Sequence, residues 1–305
     1  MVGYATRPVQ LFYGLSQLGR SIAAASKHLT DGPTGNSQSG HGRGERGSVE
    51  VWRLSGHGIA TPSLRERSRA GLSAVMVKGQ SHGTAPGVAR ALSSAPLPTD
   101  REVSLVDLWA MLPEAREVPA VEFAGKPQIL QISYEYEQEW SYASSSPLGP
   151  AVTHVNLAKF PASHDDASLS NYLSWYPGLG QPRPPDEWRQ TRMTWVANQD
   201  DVKRGWADGW DRGVVPSLPH VTYRNTECAV PVIAEMSEPV HPITIWWAVL
   251  FTLSMMARYE PDTWSTFIDV DSSACASAIE HTLDAALDAV PNLVLTAFDE
   301  MGNTG

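Results

Sequence analysis

Cysteine is almost missing from this chain: it has 2 in 305 residues, Cys228 and Cys275, and neither belongs to a CxxC pair or a Cys/His ligand spacing. That excludes a disulfide scaffold and a zinc-binding motif, and the usage suits a reducing cytoplasm. Charge is scarce as well, at 18% of residues, and Lys and Arg stop altogether at Arg258, after which nine acids follow. The net charge of -10 excludes a protein that coats nucleic acid through bulk charge, because phosphate binding needs a positive surface. A long hydrophobic run is lacking too. From Pro239 to Ala257 there is no charged residue, but the apolar core from Ile243 to Ala257 is only 15 residues and contains Thr252 and Ser254. A membrane span needs about 20, so the segment reads as a buried helix and no membrane partner is expected. The N-terminus MVGYATRPVQLFYG has no charged n-region followed by an apolar stretch, so a secretory leader is not expected.

Several catalytic signatures are also missing. The nucleophile elbow GxSxG fails at its second glycine in Gly14-Leu15-Ser16-Gln17-Leu18, and neither GxxxxGK[ST] nor HExxH occurs. His164-Asp165-Asp166 lacks helical ligand spacing, so no metal site is expected, and no cofactor either. Gly42-Arg43-Gly44-Glu45-Arg46-Gly47 matches GxGxxG by letter only: a loop precedes it and the strand-like VEVWRL follows, the reverse of the dinucleotide fingerprint.

What is present suffices for a core. Hydrophobic residues reach 42%, with 11 Trp, 9 Tyr and 6 Phe, which excludes wholesale disorder. Charge is unevenly spread: residues 1–100 carry 11 Lys+Arg against 5 Asp+Glu, residues 101–305 carry 12 against 28. Either the two parts pack and offset each other, or the N-terminal part presents a local basic face to an anionic ligand.

Periodicity places helices at both ends. Leu11, Leu15, Leu18, Ile22, Ala25 and Leu29 fall at spacings of three and four, predicting a helix over Pro8–Leu29 with Tyr13, Ser16, Gln17, Arg20 and Lys27 on its other faces. Pro242 opens and Pro261 stops a helix over 243–258; a last helix is predicted from Asp271 or Ser272 to Pro291. SLVDLWAM at 104–111 reads as a short helix capped by Ser104 and ended by Pro113. A strand is predicted at Leu72–Lys78, and VPAVEFA, PQILQISYEYEQEW, AVTHVNLAKF, TRMTWVAN and HVTYRNTECAVPVIAE read as strands, with ASLSNYLSWY at 167–176 as the one helix among them. Short connections favour antiparallel pairing. The expectation is an α+β fold, one compact domain over 1–305. Its helical part is 1–29 and 236–300, its strand-rich part 49–235, and its flexible loops 30–48 and 79–100.

Few polar residues sit where placement costs free energy. Arg20 lies in the first helix, with Ser16 one turn before it; His57 sits in the glycine turn Ser55-Gly56-His57-Gly58; Arg258 and Glu260 end the apolar helix. One reading is an internal network in which the acidic tail neutralises the arginines. The other is a pocket built from the same groups, with His57 as the side chain that titrates near neutral pH. Trp246, Trp247 and Trp264 read as core.

Three stretches together carry a resemblance: LFYGLSQLGRSIA at 11–23, Ser55-Gly56-His57-Gly58, and Met256-Ala257-Arg258-Tyr259-Glu260-Pro261-Asp262-Thr263-Trp264. In this order they resemble the YaaC-like family of bacterial proteins, while 100–235 contributes no motif. The resemblance implies a cytosolic bacterial protein of about this length. It also implies further helix ahead of the LFYG segment in other members, so that apolar surface on the first helix would be left exposed here. The helical ends distantly resemble HEPN-type RNases, whose chemistry rests on an Arg and a His four to six residues apart on one helix. Here Arg20 and His28 have seven residues between them, Arg53 and His57 three, and Arg258 meets no His before His281. The leading expectation is therefore binding of a protein partner or small anionic ligand at Arg20, Ser16, His57, Arg258 and Glu260. The alternative is an RNA- or nucleotide-directed enzyme with His57 as general acid/base and the arginines on phosphate charge.

Overall fold

A computed structural model describes residues 3–26, 54–120, 123, 126–137, 140–141, 146–147, 152–157, 174–177, 192–196, 221–233 and 236–303. The fold is α+β. Where the sequence reads as one compact domain, the chain divides into two compact units: residues 1–126 with 238–305, and residues 127–237.

The first unit holds seven described helices: α1 (Arg7–Ala25), α2 (Leu64–Ala70), α3 (Thr84–Ala91), α4 (Leu105–Met111), α5 (Pro242–Tyr259), α6 (Pro261–Phe267) and α7 (Ala276–Asn303). Strands β1 (Ile59–Ala60), β2 (Met76–Gly79) and β3 (Val103–Ser104) form a small antiparallel sheet in that order. At its centre is α5, fourteen of whose eighteen residues are buried, among them Trp246 and Trp247 at full burial. A helix apolar on every face must be surrounded, and α1, α3, α4 and α7 pack on it. Among the described residues no helix is long and apolar enough to cross a membrane. The N- and C-terminal helices thus pack together as expected, with α1 lying on both α5 and α7. Trp264 is buried, and its indole N–H donates to the Ala5 carbonyl at 3.0 Å, fastening the exit of α5 to the start of the chain. Across the unit, the buried Trp109 N–H of α4 donates to Thr282 Oγ1 of α7 at 2.8 Å.

Local chemistry explains several boundaries. Ser104 caps α4, its hydroxyl accepting from the Asp107 N–H at 3.4 Å, and Pro113 begins a separate 3-10 turn. Pro242 occupies the first turn of α5 behind His241, whose ring Nδ1 accepts the Ile243 N–H at 3.1 Å.

Other boundaries differ from the sequence reading. Residues 79–100, read as a loop, contain α3, whose Ala85, Val88, Ala89 and Ala91 are buried. Its glycine and proline are tolerated because Pro86 sits in the first turn and Gly87 leaves room for Leu54. At Leu72–Lys78 the first residues form a 3-10 turn and only Met76–Gly79 a strand. Residues 118–120 and 123, read as strand, are not one; Phe123 instead tilts onto Trp109 with ring centroids 5.5 Å apart. The last helix begins at Ala276, after a turn closed by Asp269, whose carboxylate accepts from Asp271 N–H and Ser272 Oγ. It also runs through Pro291, since a proline inside a long, packed helix removes one backbone bond without ending it. The predicted stripe of α1 is displaced: Phe12, Leu15, Gly19, Ile22 and Ala23 are buried, Leu11 and Leu18 half-buried and Ala25 exposed.

The second unit, residues 127–237, carries the remaining strands. It contains β4 (Leu130–Glu137), β5 (Trp140–Ser141), β6 (Ser146–Pro147), β7 (Val152–Leu157), β8 (Arg192–Val196), β9 (Val221–Tyr223) and β10 (Thr226–Ala229). Five of these form an antiparallel sheet in the order β8-β7-β4-β10-β9, and β5 pairs with β6. Arg224 and Asn225, at φ of 48° and 61°, make the two-residue turn that joins β9 to β10, the left-handed pair that matches strand twist. The predicted 30–48 loop, its GxGxxG and most of the 167–176 helix lie outside the described residues.

Candidate functional site

The glycine turn at 56–58 is built by its backbone. Gly56 and Gly58 have φ of 75° and 76°, values that L side chains rarely adopt, and a Cβ on Gly58 would meet the ring of Pro86. The Gly56 carbonyl accepts both the N–H (3.1 Å) and the hydroxyl (2.8 Å) of Thr84, and the His57 carbonyl accepts the Ala85 N–H at 3.0 Å. The first amides of α3 are therefore consumed in holding the turn. What the turn presents is the His57 side chain.

That imidazole is half-buried against two aromatic rings, meeting Phe12 of α1 edge-on at 5.0 Å between centroids and Phe251 of α5 at 5.5 Å. Burial is the main reason its pKa lies below the usual histidine value, followed by the positive charges of Arg258 and then Arg20. Both arginines therefore act on the one ring. Arg20 is exposed on α1, two turns after Tyr13. Arg258 is exposed on the last turn of α5; it donates to the Tyr13 hydroxyl at 3.1 Å and lies over the rings of Tyr259 (5.0 Å) and Tyr13 (5.9 Å). Such stacking orients a guanidinium without cancelling its charge. Among the described residues no carboxylate pairs with Arg20 or Arg258.

Of the residues proposed from sequence, Arg258 and Arg20 lie near enough to His57 for their charges to help lower its pKa. Ser16 is 3% exposed, inside the packed face of α1 and behind the exposed groups. Glu260 is half-buried and serves through its backbone: its N–H donates to the Met256 carbonyl and its own carbonyl accepts from Trp264 N–H, joining α5 to α6. Tyr13 and Tyr259, 43% and 56% exposed, belong to the cluster but were missed as site residues. Tyr13 carried a signal, since it lies seven residues before Arg20 and hence on the same side of the helix.

These features define a class: an α+β protein that presents, on one face of its helical unit, a cluster rich in hydrogen-bond donors and positive charge. More particularly, the chain belongs to the YaaC-like family, whose model, described as "YaaC-like Protein", matches residues 1–298. No curated protein and no solved structure matches the chain.

Proposed function

We propose that this protein is a cytosolic bacterial binding protein and that Arg20, His57 and Arg258 hold the anionic group of a small ligand. The observation that carries this reading is two arginines from different helices whose charges reach one histidine, with no carboxylate paired to either arginine among the described residues. Like charges held together cost free energy that an anion would recover. The surrounding groups, two guanidiniums, an imidazole and the Tyr13 hydroxyl, suit a ligand that mainly accepts hydrogen bonds, such as a phosphoryl or carboxylate group. The scarcity of cysteine, 2 in 305 residues, fits a reducing compartment.

The test is a thermal-shift titration with inorganic phosphate and phosphorylated metabolites, run on wild type, Arg20→Ala and Arg258→Ala. At a hundredfold excess over Kd a ligand stabilises wild type by about 2.7 kcal/mol, and each variant should keep its own melting temperature while losing that shift. An equal shift in all three proteins would remove the site from these residues.

A further inference from the structure

The side of α1 away from Tyr13 and Arg20 borders a second feature, a cavity of about 430 Å³ among α1, α5 and α7. Its walls are apolar, with Leu11, Leu15 and Leu18 from α1, Leu250 from α5 and Val290 from α7. Two sequence choices shape it. Gly14 lines it with no side chain, and a Cβ built there would meet nothing within 4 Å. Opposite, Pro291 lies in the wall and has no N–H to give the Leu287 carbonyl, so the helix presents a backbone acceptor beside an apolar surface. Among the described residues, polar side chains reach the cavity only through Arg7 and Gln10. Arg7 is ion-paired with Asp284, whose carboxylate also accepts the Tyr4 hydroxyl, so its charge is already offset.

Apolar walls, a few polar groups and a volume of several hundred Å³ are the properties of a small-molecule site. We propose that this cavity binds a small amphipathic molecule with an apolar chain and an uncharged hydrogen-bonding head. The chain would lie along the leucines. The head would meet the Gln10 amide, which both donates and accepts, beside the neutralised Arg7–Asp284 pair; a bare carboxylate head would find no free positive charge there. This site is separate from the Arg20, His57 and Arg258 cluster and does not depend on it.

Saturation-transfer NMR with 1-octanol as probe and octanoate as its charged counterpart tests the assignment on wild type, Gly14→Ala, Gly14→Phe and Leu287→Trp. Octanol should bind wild type and Gly14→Ala, and octanoate at least tenfold more weakly. Gly14→Phe, which fills the space, should lose octanol binding while keeping its circular dichroism and melting temperature. Should Gly14→Phe misfold, Leu287→Trp decides, because position 287 is 59% exposed and tolerates a ring that closes the opposite wall. No octanol binding to wild type, or undiminished binding in the folded blocking variant, overturns the site. Equal binding of octanoate overturns the uncharged head. A wild-type dimer that Gly14→Phe dissolves in sedimentation overturns the small-molecule occupant in favour of a second copy.

Discussion

Gly14 and Gly19 lie five residues apart on α1 and meet opposite surroundings. A Cβ on Gly14 enters open space, whereas one on Gly19 would strike the indole ring of Trp247 and come within 3.0 Å of Val88 Cγ2. Gly14→Ala should therefore raise stability by about 0.5–1 kcal/mol, the helix-propensity difference, while Gly19→Ala should lower it by about 1–3 kcal/mol through overpacking. Urea melts of the two variants give the signs directly. Nothing in the sequence separates these glycines, since both interrupt the same periodic stretch. Arg20 and Arg258 pose the same problem: their residue types were legible as candidates, but that no carboxylate pairs with them among the described residues depended on which acids the fold brings near.

Helix α5 is the element whose position the sequence predicted best, because a Pro at its start, a Pro beyond its end and an apolar run between them are local signals. Its cap makes it sensitive to acid. His241 Nδ1 must be unprotonated to accept the Ile243 N–H, and burial lowers its pKa to about 4. A histidine depressed in the folded state contributes stability that is complete above its unfolded pKa of about 6.5 and is lost as pH falls toward 4. The difference of about 2.5 pH units corresponds to roughly 3 kcal/mol. Stability measured by denaturant between pH 7 and pH 4 should fall by that amount more in wild type than in His241→Asn, which keeps a capping oxygen but does not titrate. Equal slopes would show that the cap does not govern acid sensitivity. Where elements were misplaced, local rules lost to packing: α3 is rich in small residues that look loop-like until burial selects the helix, and α7 passes Pro291 because its neighbours hold both halves.

At the scale of the whole molecule, the proposed anion site and the proton are linked. Burial and the two arginines disfavour the imidazolium form of His57, and a bound anion would favour it again, so binding should take up protons and tighten as pH falls. Calorimetry in two buffers of different ionisation enthalpy should report that uptake in wild type and none in His57→Gln; the same proton uptake in both would remove His57 from the site. The α+β class, the helices at both ends, the burial of 243–258 and the antiparallel strands followed from the sequence alone. So did the family, because all of these rest on periodicity, turn residues and short motifs that act over a few positions. Only the tertiary structure decided that the charges of Arg258 and Arg20 bear on His57, that Ser16 is buried and Glu260 joins α5 to α6 through its backbone, and that Gly14 and Pro291 border a cavity. Those outcomes depend on which surfaces of α1, α5 and α7 face one another, which is settled by long-range packing and not by any local pattern.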